Sequence, residues 1–240
     1  MANLEKPTRV ILKLSGERFS DGDQHISFPQ FDKVANQLVK IKNKTGVELA
    51  IVVGGGNIFR GRQAAAEVDH TEADTMGMLA TMINGVGLRE ALVRNGEPET
   101  RLMTSLPVPA AAEPYIRLKA RHHLDSGRVI VLAGGLGLPN FSTDSAVAQY
   151  ADELRCKIIL KASTVDEVYD ADPNIVKSAK RFSVITYRDA LVKELGVMDS
   201  TAFAMCTRSE IPIFVFNIED LDKLPEILTG DYSSGTLITK

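Results

Sequence analysis

Lys13 is the penultimate residue of the apolar run RVILKL (residues 9–14), which Ser15, Gly16 and Glu17 follow at once. A lysine where a strand gives way to a turn either ends in solvent or carries a mobile point charge that can bridge phosphates and neutralise a moving phosphoryl group. The second candidate is GGGNIFRGR (54–62). Glycines bring bare amides close to a ligand, successive amides at a helix start form an anion nest, and Arg60 or Arg62 can close over the bound group with a bidentate fork.

Three further stretches carry polar groups that need a reason. Asp74, in EADTMGMLATMINGVGL (72–88), is either a partner for the helix dipole or an acceptor for ribose hydroxyls. AGGLGLPNFSTDSAVAQ (133–149) reads as a glycine loop and then a helix capped by Ser142 or Thr143. Asp144 falls in the first turn of that helix, facing the same edge as Lys13, where an acid can hold a lysine in position or help place a metal. KASTVDEVYDADP (161–173) gathers Ser163, Asp166, Tyr169, Asp170 and Asp172, which as a bland alternative form a solvated acidic turn.

Several chemistries are excluded. Lys13-Leu14-Ser15 precedes its glycine, the reverse of a Walker A loop, and no such loop occurs elsewhere. The dinucleotide fingerprint fails at Phe59, which stands where the third glycine belongs. The four histidines, 25, 70, 122 and 123, lack metal-ligand spacing, and no Ser/His/Asp set suggests itself. A phosphate monoester acceptor needs no base, because its second pKa of about 6 leaves it largely dianionic at neutral pH.

Elements must bring these residues together. RVILKL (9–14), VELAIVV (47–53), RVIVLA (128–133), KIILKA (157–162) and IPIFVFN (211–217) read as buried strands. Phe28, Phe31, Val34, Leu38 and Ile41 mark one helix, which Gly46 ends, and Met76, Leu79, Ile83 and Val86 mark a stripe on a second, a core or interface helix. Strands alternating with helices predict parallel pairing and an α/β/α layered domain, with ligands at the carboxyl ends of the strands. Those ends carry residues 15–17, 54–57, 134–137 and 162–166, and residues 167–182 read as an excursion over that edge. No internal repeat or domain boundary stands out.

The 240 residues carry a formal charge of -3, so an anion site has to be local and no broad basic surface invites nucleic acid. Two cysteines without metal or disulfide spacing, and no signal-like or membrane-length apolar run, predict a cytoplasmic protein that contacts neither nucleic acid nor membrane.

RVILKLSGE, VVGGGNIFRG, DTMGMLAT, NFSTDSA, VYDADP, VMDSTAF and GTLIT together, in order and across almost the whole chain, resemble the bacterial uridylate (UMP) kinases of the amino acid kinase superfamily. The resemblance implies one three-layer α/β/α domain over residues 1–240 with a mainly parallel sheet. The N-terminal part would lie mainly on the acceptor side and about 155–240 mainly on the ATP side. It implies transfer of the ATP γ-phosphate to UMP with Mg²⁺, a homohexamer, inhibition by UTP and frequent activation by GTP. By motif, Lys13, Leu14, Ser15, Gly16, Gly56, Arg60, Ser163, Tyr169 and Asp172 look like ATP contacts. Gly55, Asp74 and the loop Leu136, Gly137, Leu138, Pro139, Asn140, Phe141, Ser142 and Thr143 look like UMP contacts. Lys13 and Arg60 are expected to neutralise the moving phosphoryl, with Asp144 organising the site.

The chain departs from the family pattern in places. Leu136 and Leu138 replace a usual Thr and Asn, and Glu167 replaces a glycine. Arg89 and Arg128 match positions tied to GTP response, but their usual His and Trp companions are Val93 and Arg117. Kinases for carbamate, aspartate, glutamate or acetylglutamate, and a non-catalytic nucleotide sensor or store, are the alternative readings, with a nicotinamide-dependent oxidoreductase as a remote third.

Overall fold

The computed structural model describes residues 8–60, 67–163, 168–169, 181–193, 195 and 197–240. Its strands are β1 (Arg9–Leu14), β2 (Glu48–Val53), β3 (Arg101–Thr104), β4 (Glu113–Pro114), β5 (Ile130–Ala133), β6 (Ile159–Ser163), β7 (Val184–Thr186), β8 (Ile213–Asn217) and β9 (Gly235–Thr239). The helices are α1 (Phe28–Thr45), α2 (His70–Arg94), α3 (Arg117–Asp125), α4 (Thr143–Leu154), α5 (Tyr187–Val192), α6 (Ser200–Ser209) and α7 (Leu224–Ile227).

The strands form one sheet in the order β4-β3-β5-β2-β1-β6-β8-β9-β7. All pairs are parallel except β8 with β9, so β9 and its parallel neighbour β7 run against the rest. This is the mainly parallel sheet that alternating strands and helices predict. Side chains of β1 alternate between two apolar layers: Val10, Leu12 and Leu14 pack with Phe31 and Leu38 of α1 and Leu88 of α2, while Ile11 packs with Val147 of α4 and Phe203 of α6. The period of two in a strand thus produces the three-layer sandwich.

The five apolar runs all become strands. β3, β4, β7 and β9 have no counterpart among them. Of the expected excursion at 167–182, only Val168, Tyr169, Arg181 and Phe182 lie within the described residues, with Tyr169 bridged antiparallel to Arg181.

One helix reading needs correction and one open alternative narrows. Phe28 lies outside the buried stripe of α1 and is exposed. On α2, Met76, Leu79 and Ile83 face away from this chain's core, each 43–48% exposed. The inward face instead carries Ala73, Met78, Ala80, Thr81, Met82, Asn84, Gly85 and Leu88. Small residues there let the helix approach the sheet closely: a Cβ at Gly85 would stand 2.8 Å from a Leu102 methyl and 2.9 Å from Ala133 Cβ.

The chain starts on β1 and then diverges, to β2 on one side and β6 on the other. Such a reversal opens a crevice at the carboxyl ends of the strands, where ligands of open α/β sheets collect. Residues 15–17, 54–57, 134–138 and the end of β6 all emerge along that edge, since β1, β2, β5 and β6 run parallel in register.

Candidate active site

Lys13 is paired in register with Lys161 of the neighbouring strand β6. Parallel neighbours in register point to the same face, so two ammonium groups stand side by side over the α4 layer. Like charges at adjacent strand positions repel unless an anion lies between them. Asp144, in the first turn of α4, is that anion: Lys161 Nζ donates to Oδ2 at 2.7 Å, and Lys13 Nζ stands 3.5 Å from Oδ1. All three side chains are largely shielded, with exposures of 16% for Lys13, 11% for Lys161 and 17% for Asp144.

The cradle is asymmetric. Lys161 also donates to the carbonyl of Val197, so it is tied on two sides. Lys13 is held only at ion-pair distance, and Asp144 Oδ1 is buried with no hydrogen-bond partner. Burial lowers the Lys161 pKa and the charge of Lys13 adds to that, with Asp144 opposing both only in part. For Asp144 burial alone would raise the pKa, but Lys13 and Lys161 outweigh it and hold the carboxyl below its ordinary range. The trio keeps one net positive charge in a low-dielectric crevice, which suits an incoming anionic group.

Two helix N-termini meet beside it. Ser142 caps α4 by accepting from the amides of Asp144 and Ser145 at 3.0 and 3.2 Å, while Asp199 caps α6 by accepting from Ala202 N at 2.8 Å. Ser142 Oγ donates to Asp199, and Ser145 Oγ reaches the same carboxylate at 3.2 Å, so one acid ties the helix ends together.

The triple glycine is held mainly by α2. Asn84, fully buried, donates from Nδ2 to Gly54 O and to Asn57 Oδ1, both at 2.7 Å, and Asn57 Nδ2 returns a bond to Asn84 Oδ1 at 3.2 Å. A Cβ at Gly55 would stand 2.8 Å from Ala80 Cβ and 2.9 Å from Thr81 N, and one at Gly16 would come within 2.4 Å of Asn57 Oδ1 and 2.8 Å of Gly56 N. A Cβ at Gly54 would stand 3.1 Å from Gly16 N. A Cβ at Gly56 would meet nothing within 4 Å, so this is the glycine of the three whose surroundings leave room for a ligand. Arg60 lies over it, donating from Nε to Gly56 O at 3.1 Å and from Nη2 to Glu17.

The loop before α4 is fastened to the same helix. Thr81 Oγ1 accepts from Gly134 N at 2.7 Å, and Asp74 Oδ2 accepts from Asn140 N at 2.6 Å. Asp74 lies one turn inside α2, whose cap is Asp69. Within the loop, Gly134, Gly135 and Gly137 have φ of 81°, 55° and 72°, and Asn140 also adopts positive φ at 68°. Leu136 packs against the second apolar layer, whereas Leu138 is 55% exposed.

Residues 8–217 match the sequence profile of the amino acid kinase family. The chain belongs to the amino acid kinase family. A uridylate kinase of Zymomonas mobilis is 42% identical over 225 residues, covering 93% of this chain and 92% of its own. The crystal structure of a UMP kinase from Bacillus anthracis superposes with a TM-score of 0.93 at 39% identity, covering 97% of this chain and 96% of that one. A UMP kinase from Ureaplasma parvum gives 0.91 at 34% identity, with 97% and 99% covered.

In this amino acid kinase the edge of the sheet brings together Lys13, Leu14, Ser15, Gly16, Gly55, Gly56, Arg60 and Asp144, and α2 adds Asp74 and the loop 136–143. Ser163 ends β6 on the same edge, and Tyr169 follows it. Asp172, Arg62 and Glu167 lie outside the described residues. Sequence reasoning missed Lys161, Asn84 and Asp199. A signal for Lys161 was present: Ile11-Leu12-Lys13-Leu14-Ser15 and Ile159-Leu160-Lys161-Ala162-Ser163 share the pattern I-L-K-x-S, a short internal repeat on adjacent strands.

Asn84 yields a direct expectation. Asn84→Ala strands the Gly54 carbonyl and Asn57 Oδ1 in the interior, at a cost of about 2 kcal/mol. For a chain of this size Tm should fall by roughly 4–8 °C in thermal denaturation, and an unchanged Tm would show that the amide pair does not fix the turn.

Proposed function

We propose that the protein is a uridylate kinase, transferring the γ-phosphate of ATP to UMP to give UDP and ADP. The observation that carries the reading is the cradle: two in-register lysines on one shielded carboxylate at the carboxyl edge of the sheet, in a chain 42% identical to a uridylate kinase. Such a site binds and neutralises phosphoryl oxygens, and it offers no base. UMP needs none, since its phosphate is the nucleophile and is largely dianionic at neutral pH.

On this reading the glycine turn divides the two substrates. Lys13, Leu14, Ser15, Gly16, Gly56 and Arg60, with Ser163, Tyr169 and Asp172, hold ATP, and the part from about 155 to 240 lies mainly on its side. Gly55, Asp74 and residues 136–143 hold UMP. Lys161, fixed by Asp144 and Val197 O, marks where charge accumulates, and Lys13, less tightly held, follows the phosphoryl group as it moves. In-line transfer then depends on positioning and charge neutralisation.

Mg²⁺ belongs to the reading as part of the substrate MgATP. Among the described residues no group of three or more His, Cys, Asp or Glu side chains gathers to hold a cation alone, and Asp144 already faces two ammonium groups. A homohexamer is supported by the outward apolar stripe of α2, which a further copy of the chain would cover. UTP inhibition follows from a site that takes uridine nucleotides. For a GTP response the reading has Arg89 and Arg128, of which Arg89 lines a cleft of about 470 Å³, while Val93 and Arg117 depart from the responsive pattern. A cytoplasmic role in pyrimidine nucleotide synthesis completes the proposal. No helix among the described residues is long and apolar enough to cross a membrane.

Steady-state ADP release with UMP, CMP, dCMP, aspartate and carbamate as acceptors tests the reading. UMP should be preferred by at least about 10²-fold in kcat/KM, a margin that hydrogen-bonded recognition of a base supplies. Equal rates with an amino acid, or ATP turnover independent of UMP, would overturn it.

A further inference from the structure

The guanidinium of Arg60 is half exposed, at 51%, yet it is held on two sides. Its Nε donates to Gly56 O at 3.1 Å, and its Nη2 donates to Glu17, a residue the site as described so far does not use. Of the five N–H groups of a guanidinium, these two bonds take two. The remaining three are both on Nη1 and the second on Nη2, the pair of nitrogens that forms an end-on fork for phosphate oxygens.

Glu17 is itself fixed in place. It lies in the 3₁₀ turn Gly16–Phe19, closed by Arg18 N donating to Ser15 O at 3.2 Å and by Ser20 N and Oγ donating to Glu17 O at 3.3 and 2.8 Å. On one side of the turn, Gly16 packs too closely on Asn57 and Gly56 to admit a Cβ. On the other, the buried Arg18 is anchored by Glu219. The distance from the Glu17 backbone to the glycine turn is therefore set by packing, and its carboxylate reaches Arg60 from a rigid base.

We propose that Glu17 is a positioning residue for Arg60: with the Gly56 carbonyl it clamps the guanidinium, so that the free fork is preset for the donor's phosphates. The proposal rests on the assignment of Arg60 to ATP above. A carboxylate near an incoming polyphosphate would repel it unless its charge is committed to the arginine, so the pair gains by geometry rather than by net charge. An arginine ordered before the nucleotide arrives has less rotamer freedom to lose when it binds. Lysine cannot replace it, because a point charge cannot present two preset bonds to the protein and a fork to the ligand.

The test is a double-mutant cycle on the full chain, reading kcat, both KM values and calorimetric ATP affinity for the parent, Glu17→Ala, Arg60→Ala and the double variant. Glu17→Ala should raise the KM for ATP and weaken ATP binding by about 5–10-fold, leave the KM for UMP within about 2-fold, and have no further effect once Arg60 is alanine. Glu17→Gln keeps the acceptor oxygen and should restore most of the affinity. Independent, multiplying effects of the two alanines, or equal rises in both KM values, would overturn the proposal. The two readings separate: a parent that binds ATP with the expected coupling but does not phosphorylate UMP defeats the kinase assignment alone. A parent that phosphorylates UMP while the cycle is additive defeats the role of Glu17 alone.

Discussion

Lys161→Ala should lower kcat by about 10²–10³-fold, the loss typical of removing one preorganised donor from a developing oxyanion. The KM values for ATP and UMP should change far less, because Lys13, Arg60 and the glycine amides remain to bind ground-state phosphates. A kcat within threefold of the parent would remove Lys161 from the chemistry. The residue also predicts a pH profile. Burial and the neighbouring Lys13 lower its pKa, so kcat should fall as pH rises through a value below the ordinary lysine pKa of about 10.4. Over that window the unfolded chain still binds the proton that the folded protein has lost, so this group's contribution to stability rises. An alkaline loss of rate without a loss in Tm therefore distinguishes titration of the cradle from unfolding.

The second large effect is expected at Asp144. Asp144→Asn keeps the shape but leaves two adjacent ammonium groups without a counter-charge. Breaking a fully buried pair costs about 3–5 kcal/mol, and the partial exposure here reduces that to about 2 kcal/mol. Lys161 should then deprotonate at still lower pH, and kcat at neutral pH should fall by about 10²-fold or more. The acid side is informative as well. The Asp144 pKa is held below the ordinary carboxylate value, so its contribution is complete above about 3.9 and is lost only as pH falls through the depressed value. An acid limb near pH 6 would therefore belong to the phosphate of the acceptor, and it should stay in place in Asp144→Asn. If stability is unchanged and the variant turns over at the parent rate, the cradle is not the catalytic centre.

The strands that build the site were legible because a buried parallel strand has to be a near-continuous apolar run. Lys13, Arg60 and the Asp144 turn were legible for a related reason, since a charge that interrupts such a run, or follows three glycines, needs an explanation. Lys161 has the same signature, but it sits inside an apolar run that reads as one buried strand, and only its register opposite Lys13 reveals the pair. Asn84 was hidden in a helix whose stripe of large apolar residues leaves core and interface both open. Met76, Leu79 and Ile83 lie on the outward side, whereas the inward face sets Ala80, Thr81, Asn84 and Gly85 among Met78, Met82 and Leu88. Close approach selects for smallness, and a hydrophobicity pattern does not register it. The bond between Glu17 and Arg60 joins residues 43 apart, and no local rule anticipates it.

Helix α2 reaches the glycine turn through Asn84, Gly134 through Thr81 and Asn140 through Asp74. Its far side carries Met76, Leu79 and Ile83. The loops assigned to donor and acceptor thus hang from one ridgepole of 25 residues. A rigid element shared in this way makes bookkeeping between its two faces compulsory. Whatever seats against the outer side and prefers one arrangement of those loops must change nucleotide affinity by the same factor by which the nucleotide changes that seating.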